Sequence, residues 1–504
     1  MPQMTNTHRW LITIAVMLVT VMEVLDLTIV NVALPYMKGS LIATNDQITW
    51  VLTSYVVSSG IMMPLTGLLI NRLGVKRLIL INIVGFLFSS MLCGAAVSLQ
   101  MMVFCRILQG IFGASLVPIS QFVLRNIFPP NEITKAMAIW GMGIMAGPVL
   151  GPTIGGYITD ALNWRWIFYV NIPFCILAFF MCLKLIEETE IKLVKIDWLG
   201  MLLMATSIGC LQIFLDRGNT ADWFNASSMR WLFIIFTASF VFFIIRGISL
   251  KEKNIINLQL FLNRNFSVGC LMLALFVASM FSLLTLQPIL MESFMNYSAK
   301  TAGLVMAPRG IAAAFAMAAT PFLAKHMDLR KIIMLGLLFA AFGTYQMTKV
   351  NLTMAPITLI EIGILQGIGM GFVFIPISNL TLATLPRSDY GEASGIFNFG
   401  RSLGISIGVS AMATLLTRNS QVNWNRLGGH LSLFSPGLKL WLAHNHLNLY
   451  DKFTLLQLSK QLSSQAYMIS FLDDFLLASI ALILIIPLTF LLEKPRSAKI
   501  EIGH

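Results

Sequence analysis

Fourteen segments of about 20 mostly apolar residues follow one another along this chain, separated by polar connections that are short except for 417–470. They cover roughly 11–35, 48–70, 78–98, 101–124, 135–159, 166–186, 198–215, 230–249, 267–290, 301–324, 331–348, 355–380, 391–416 and 471–492. As a helix, each is long enough to cross a hydrocarbon core of roughly 30 Å. Lipid leaves no water to satisfy the backbone, so segments of this length span it as helices. Composition agrees: 57% of the 504 residues are hydrophobic and 11% charged, whereas soluble domains carry about 25% charged residues. The expected fold is all-α and integral to the membrane, with 14 transmembrane helices.

The charges orient the chain. A net charge of +12 on a soluble protein would suggest nucleic acid, but here the cations follow the loops. With the N-terminus in the cytoplasm, the cytoplasmic loops hold Arg72, Lys76, Arg77, Arg125, Lys135, Lys184, Lys325, Arg330 and Lys331 among others. The opposite short loops hold only Lys38, Arg165, Arg217, Arg230, Lys300 and Lys349. This positive-inside pattern places both termini in the cytoplasm and removes the case for a nucleic-acid partner. Met1 to Arg9 is polar and the first apolar run is too long for a signal peptide, so it reads as the first span. The six cysteines lie within or at the edge of spans without ligand spacing, and neither a disulfide framework nor a zinc site is expected.

The sequence repeats itself. "RILQGIFGASLVPIS" (Arg106 to Ser120) returns as "GILQGIGMGFVFIPIS" (Gly363 to Ser378), and "GPVLGPTIG" (Gly147 to Gly155) as "GRSLGISIG" (Gly400 to Gly408). "LINRLGVKRL" (Leu69 to Leu78) returns more weakly as "LAKHMDLRKI" (Leu323 to Ile332), in the same order and at about the same offset. The expected organisation is a six-helix bundle over 1–190, two inserted spans over 191–255, and a second six-helix bundle over 256–504 that includes a long loop at 417–470. Parallel repeats of this kind place a substrate site near the midplane between the halves. No extramembrane segment has the size of a catalytic domain, and no nucleotide loop or nucleophile elbow sits at a strand-to-helix junction. A secondary active transporter driven by an ion gradient, with no cofactor, is the function class that survives.

Two carboxylates in "VMEVLDLTIVNVALP" (Val21 to Pro35) carry the chemistry. A charge at the centre of a bilayer costs about 2.5 to 3.5 kcal/mol on insertion scales, and such residues face an interior or a water-filled path. Asp26 can take up a proton on one side and release it on the other, with a cation nearby tuning its affinity; the alternative is a structural carboxylate bonded permanently to a neighbouring helix. Glu23, on nearly the same face, either shares the proton or binds a cationic substrate. Arg106 is the candidate cation, because its counterpart in the second half is Gly363 and the duplicated scaffold therefore does not require it. Its alternative is snorkelling to the nearby interface.

A substrate cavity between the halves is expected to involve Glu23, Asp26, Asn31, Gln109, Asn398 and Arg401, the last lying either near the cavity or against a partner helix. Gly147, Gly151 and Gly155 recur every fourth residue, followed by Gly156 and interleaved with Pro148 and Pro152. They predict a bent helix in close contact with a neighbour, and Gly400, Gly404 and Gly408 predict the same in the second half. Gly67, Asn71, Arg72 and Gly74 form a basic turn between spans 2 and 3. His444 and His446 lack a third partner for a metal. Apolar periodicity from Tyr450 through Phe453, Leu456, Leu462 and Ile469 predicts an amphipathic helix outside the membrane.

These stretches resemble the fourteen-span drug/proton antiporters of the major facilitator superfamily along the whole chain. "LDLTIVNVALP" is similar to the first-span motif of that branch, "RILQGIFGA" to its fourth-span arginine motif, "GPVLGPTIGG" to its fifth-span antiporter motif, and "WRWIFYVNIP" is typical of it. "LDRGNTADWF", "RNFSVGC" and the long loop before the last span are similar to the EmrB type, the exporter of three-part pumps. The resemblance implies a multidrug exporter of the bacterial inner membrane that moves small hydrophobic substrates, with Asp26 and Arg106 in proton coupling; Glu23 joins them only by its place on nearly the same helix face as Asp26. It also implies a periplasmic adaptor similar to EmrA and an outer-membrane channel similar to TolC, with 417–470 as the adaptor contact. Asn71 departs from the family, whose loop motif usually has an aspartate there. A dedicated exporter of one metabolite, siderophore or lipid is the rival within transport; an intramembrane enzyme would need paired catalytic groups that the sequence does not display, and a channel would pass currents far above transporter turnover.

Overall fold

A computed structural model describes residues 5–130, 132–189, 191, 197–250, 256–431, 434–444 and 451–493, and among these residues the chain is helical without a strand. The long helices are α1 (Asn6–Ser40), α2 (Trp50–Leu73), α3 (Val75–Gly94), α4 (Leu99–Ile127), α5 (Ile133–Ala161), α6 (Trp166–Leu185), α7 (Trp198–Arg217) and α8 (Ser227–Leu250). They continue as α9 (Arg264–Phe294), α10 (Ala299–His326), α11 (Leu329–Met347), α12 (Pro356–Ala383), α13 (Tyr390–Gly429) and α14 (Lys452–Ile485). Twelve helices are long and apolar enough to cross a membrane as single spans. The two others are α5, bent by 43° between Ile133–Pro148 and Thr153–Ala161, and the 19-residue α11, which begins with Arg330 and Lys331 inside its first turn.

Local chemistry ends and joins these helices. Ser98, Asn263, Ser298, Asp328 and Asp451 each cap a helix by accepting a backbone N–H. Between α2 and α3 the turn is a single residue, Gly74, at φ +78°, where a side chain would be strained. The break in α5 falls where Pro148 and Pro152 withdraw backbone donors; the Pro152 side chain lies outside the described residues. Pro288 in α9 is followed by a π-turn at Leu290–Phe294, which restores backbone pairing after the missing N–H.

Packing repeats between the first six and last six helices. α1 lies against α5 and α6, α2 against α4, and α3 against α4 and α6; α9 lies against α13 and α14, α10 against α12, and α11 against α12 and α14. Across the two sets, α5 meets α10 and α13 meets α2 and α4. α7 is wedged between α2 and α13, where Gln212 Nε2 donates to Ser406 Oγ at 2.7 Å, Ser410 to the Leu215 carbonyl, and Thr53 to Asp216. α8 packs on α7, with Phe233, Ile234, Phe242 and Ile245 turned outward. At their base, Arg246 clamps Asp197 through two bonds of 2.8 Å and holds its carboxyl below the usual range. That contribution is present at neutral pH and fades as pH falls through the lowered value.

The glycine repeats are contact sites. A Cβ at Gly147, Gly151 or Gly155 would run into Val24, Thr28 or Ile29 of α1, and Thr28 Oγ1 donates to the Gly147 carbonyl at 2.9 Å. Gly404 and Gly408 meet the carbonyls of Ala274 and Ala278 on α9 in the same way, but Gly400 has nothing within 4 Å. The sequence expectation therefore fails at Gly400, because that turn of α13 precedes the close approach. Gly408→Ala is expected to lose about 1–3 kcal/mol by overpacking against backbone, while Gly400→Ala stays within about 0.5 kcal/mol. Thermal unfolding of both variants in detergent checks the contrast.

The 417–470 segment is also different from a loop carrying a separate amphipathic helix. α13 runs 40 residues, about 60 Å at 1.5 Å per residue, and α14 begins at Lys452. Both spans continue past the hydrocarbon as paired helices, with Asn423 Nδ2 donating to Ser470 Oγ at 3.0 Å and a short helix at Pro436–His444 near the tip. The periodic residues from Phe453 to Ile469 belong to this extension of the last span, in which Phe453 and Leu456 are exposed. Tyr450 and His446 lie outside the described residues.

Candidate functional site

The centre of the first bundle holds a closed polar cluster. Glu23 and Asp26 stand at i and i+3 on α1, as do Arg106 and Gln109 on α4, so each pair shares a helix face. Arg106 Nη1 donates to Asp26 Oδ2 at 2.7 Å and to Gln109 Oε1 at 2.7 Å, and its Nε donates to the Val51 carbonyl at 3.1 Å. Gln109 Nε2 and Asn171 Nδ2 each donate to Asp26 Oδ1 at 2.9 Å. One cation and two amides thus converge on a single carboxylate, and both partners of the ion pair are fully enclosed. Arg106 does not snorkel: its guanidinium lies 4.3 Å over the Tyr55 ring, inside the bundle.

Glu23 is adjacent but differently served. Tyr55 donates its hydroxyl to Glu23 Oε1 at 3.3 Å, and Glu23 Oε2 has no partner although the residue is buried. The cation whose field reaches it is Arg401 on α13, in the other bundle. Glu23 therefore feels a charge from a helix of the other bundle, while Asp26 is bonded wholly within its own.

A second polar set ties the bundles together near the end of α4. Arg125 Nη2, near the end of α4, donates to the Ser378 carbonyl at 2.8 Å and to Asn379 at 3.3 Å. Gln121 Nε2 donates to Ser378 Oγ at 2.9 Å, and Asn398 Nδ2 donates to Gln121 Oε1 at 2.8 Å. Trp140 stacks on Phe374 at 5.9 Å, and a Cβ at Gly67 would strike the backbone of Glu392. On this face the halves are closed against each other.

The other residues of interest separate accordingly. Asn398 belongs to the closed face and not to the Asp26 cluster. Asn31 is exposed, its amide turned back to the Leu27 carbonyl of its own helix. Gly156 has only Val32 near it. Asn71 and Arg72 lie beside the α2–α3 turn, where Arg77 pairs with Glu188 at 3.5 Å and Thr189 accepts from the Val75 backbone. Sequence reasoning missed Tyr55, Asn171, Gln121 and Arg125 as members of these clusters. Asn171 lies within "WRWIFYVNIP" and Gln121 directly after the duplicated stretch, but only the fold shows which partners they meet.

A cavity of about 200 Å³ opens between α1, α5 and α6. Its wall is apolar (Leu18, Val21, Leu25, Ile154, Phe174) except where Asp26 and Asn171 reach it. It flanks the first bundle, so of the expected cavity residues only Asp26 lines it.

The chain has recognisable relatives among known proteins. The sequence model described as Major Facilitator Superfamily matches residues 16–409. The chain is 32% identical over 508 residues to "Probable multidrug resistance protein EmrY" of Escherichia coli (strain K12), covering 98% of each. It is 32% identical over 497 residues to "Multidrug export protein EmrB" of the same organism, covering 97% of this chain and 96% of that one. Among solved structures, the human organic anion transporter MFSD10 superimposes with a TM-score of 0.59 at 15% identity, covering 94% of this chain and 99% of the other.

Proposed function

The chain belongs to the Major Facilitator Superfamily, a family of transporters and not of enzymes, and on that premise we propose that it exports hydrophobic, chemically diverse compounds by proton antiport. The observation that carries this reading is the enclosed Asp26–Arg106 pair, a protonatable group held by a cation in one bundle only. Multidrug resistance and multidrug export are what the names of two relatives say of them.

The mechanism follows from what a proton would do at that carboxylate. Ionised, Asp26 draws Arg106, Gln109 and Asn171 together and so ties α1 to α4 and α6. Protonation removes the charge and turns one acceptor into a donor, which leaves the three donors competing for fewer lone pairs. α1 can then shift relative to α4, and α5 moves with it because Gly147, Gly151 and Gly155 bind the two tightly. The two bundles, 1–190 and 256–504, rock about an interface that is closed at Arg125 and Ser378 in this state, and α7 follows both through Asp216 and Gln212. Glu23 and Arg401 sit where a substrate between the bundles meets charge of either sign. No cofactor is needed; the proton gradient supplies the energy.

We place the protein in a bacterial inner membrane with both termini cytoplasmic, which puts the closed face inside and the α13–α14 extension in the periplasm. That extension is the proposed contact for an adaptor similar to EmrA, which would lead to a channel similar to TolC. Phe453→Glu with Leu456→Glu is expected to abolish co-purification with such an adaptor while transport in proteoliposomes continues. The exporter reading itself is tested by efflux of a fluorescent hydrophobic cation from proteoliposomes under an imposed pH gradient. Efflux that appears with the gradient and stops when an ionophore collapses it supports the proposal; gradient-independent movement removes proton coupling. A narrow profile across unrelated compounds would favour a dedicated exporter instead.

A further inference from the structure

The second bundle contains a buried cation that transport by the Asp26 cluster does not use. Repeat alignment sets Gly363 opposite Arg106 and Gln366 opposite Gln109. α10 fills the vacated space: a Cβ on Gly363 would lie 3.7 Å from the Arg309 Cβ and 3.9 Å from its Nε. Each bundle therefore buries one arginine beside the same glutamine position, delivered from α4 in the first and from α10 in the second.

The two arginines differ in what answers their charge. Arg106 has Asp26 at 2.7 Å. Arg309 is 5% exposed, donates through Nη2 to Gln287 Oε1, and has no partner for Nε or Nη1. Gln287 donates onward to Gln366 and Gln366 to Thr344, each at 3.4 Å, and all three are fully buried. This hydrogen-bonded series is neutral apart from the guanidinium, and among the described residues no carboxylate forms an ion pair with Arg309. A buried charge without a counter-charge is strongly unfavourable unless something supplies one. Long amide bonds at the edge of hydrogen-bond range can be re-aimed with little loss.

We propose that Arg309, with Gln287 and Gln366, forms an anion site in the second bundle that takes the carboxylate of an amphipathic acid. This inference rests on the export reading and extends it to a substrate class that Glu23 would repel. The carboxylate is favoured over a phosphate or an inorganic ion because the surroundings are apolar: Leu286, Leu290, Val305 and Ile362 from the same three helices belong to one hydrophobic cluster. The occupant must bring one compact charge on a body that these side chains can cover. Arginine suits that task better than lysine, since its planar donors are set in place before the ligand arrives.

The test uses the purified full chain, with 1-naphthoate as the acid and 1-naphthalenemethanol as its uncharged counterpart, read by ligand-induced thermal shift and by affinity. Naphthoate is expected to bind at least about tenfold more tightly than the alcohol. R309Q should remove that difference, and R309K, which keeps the charge without the fork, should retain part of it; both are scored on material that elutes as a single folded species. Equal affinity for acid and alcohol in the unaltered protein, or unchanged naphthoate affinity in R309Q or R309K, overturns the site. Exchange of chloride for gluconate separates the sources of the anion: a shift given by chloride and not by naphthoate overturns the carboxylate assignment. Gradient-driven efflux of the hydrophobic cation is measured on the same unaltered preparation. Cation efflux without naphthoate binding discards the anion site and keeps the export reading, whereas absence of both discards the reading too.

Discussion

Asp26→Asn is expected to collapse the concentration ratio that the protein can sustain. One proton moving inward through 100 mV supplies about 2.3 kcal/mol, enough to hold a neutral substrate at a gradient of roughly fiftyfold. A variant that cannot exchange the proton should hold a ratio near one under the same conditions, while downhill flux of substrate continues. Asparagine keeps the size of aspartate, so the cavity between α1, α5 and α6 and the glycine contacts with α5 are undisturbed. What changes is chemistry: one oxygen that accepts from Gln109 and Asn171, or the one that meets Arg106, becomes an N–H. Steady-state accumulation in proteoliposomes, normalised to inserted protein, is the measurement. A variant that still accumulates substrate fiftyfold would make Asp26 structural and shift the search for the coupling proton to Glu23.

How far the sequence anticipates this site depends on whether one segment or two must be known. The spans are legible because each is a local property: twenty apolar residues decide for themselves, and only α5 and α11 depart from a plain apolar rod. The pairing of Asp26 with Arg106 is anticipated by exception, from two charges in apolar segments and a repeat that lacks one of them. Gly400 shows the opposite limit, since its spacing matches Gly404 and Gly408 yet the neighbouring helix has not come near at that turn. Asn31 fails for a related reason: a polar residue five positions from Asp26 lies at a different angle around α1 and finds only its own backbone. The charge pattern assigns Arg125 to the cytoplasmic loops, but its inward turn to Ser378 and Asn379 depends on a helix about 250 residues away. Arg309 was invisible as a site because its meaning comes from Gly363 on another helix and from the carboxylate that neither helix provides. The paired extension of α13 and α14 was hidden by the usual reading of a long polar segment as loop.

Arg106→Gln should produce the second large effect, on stability as well as on transport. Removing one member of a buried ion pair leaves the other as an uncompensated charge, a loss of about 3–5 kcal/mol. Here the remaining charge would be Asp26, which keeps Gln109 and Asn171 as donors but loses its cation, while the Val51 carbonyl loses the Arg106 Nε donor. Neutralising the partner as well should recover part of the loss, so Asp26→Asn with Arg106→Gln is expected to melt above Arg106→Gln alone. Double-mutant analysis of thermal unfolding then gives an interaction energy well beyond the few tenths of a kcal/mol seen for independent sites. The recovered protein should still fail to couple a pH gradient to efflux, because stability returns without the titrating group. If the two substitutions add independently, the pair contributes nothing jointly, and proton coupling would have to act on Asp26 without Arg106. If the double variant both refolds and pumps, the proton is carried elsewhere, and Glu23, buried with an unpartnered oxygen, is the group the geometry leaves.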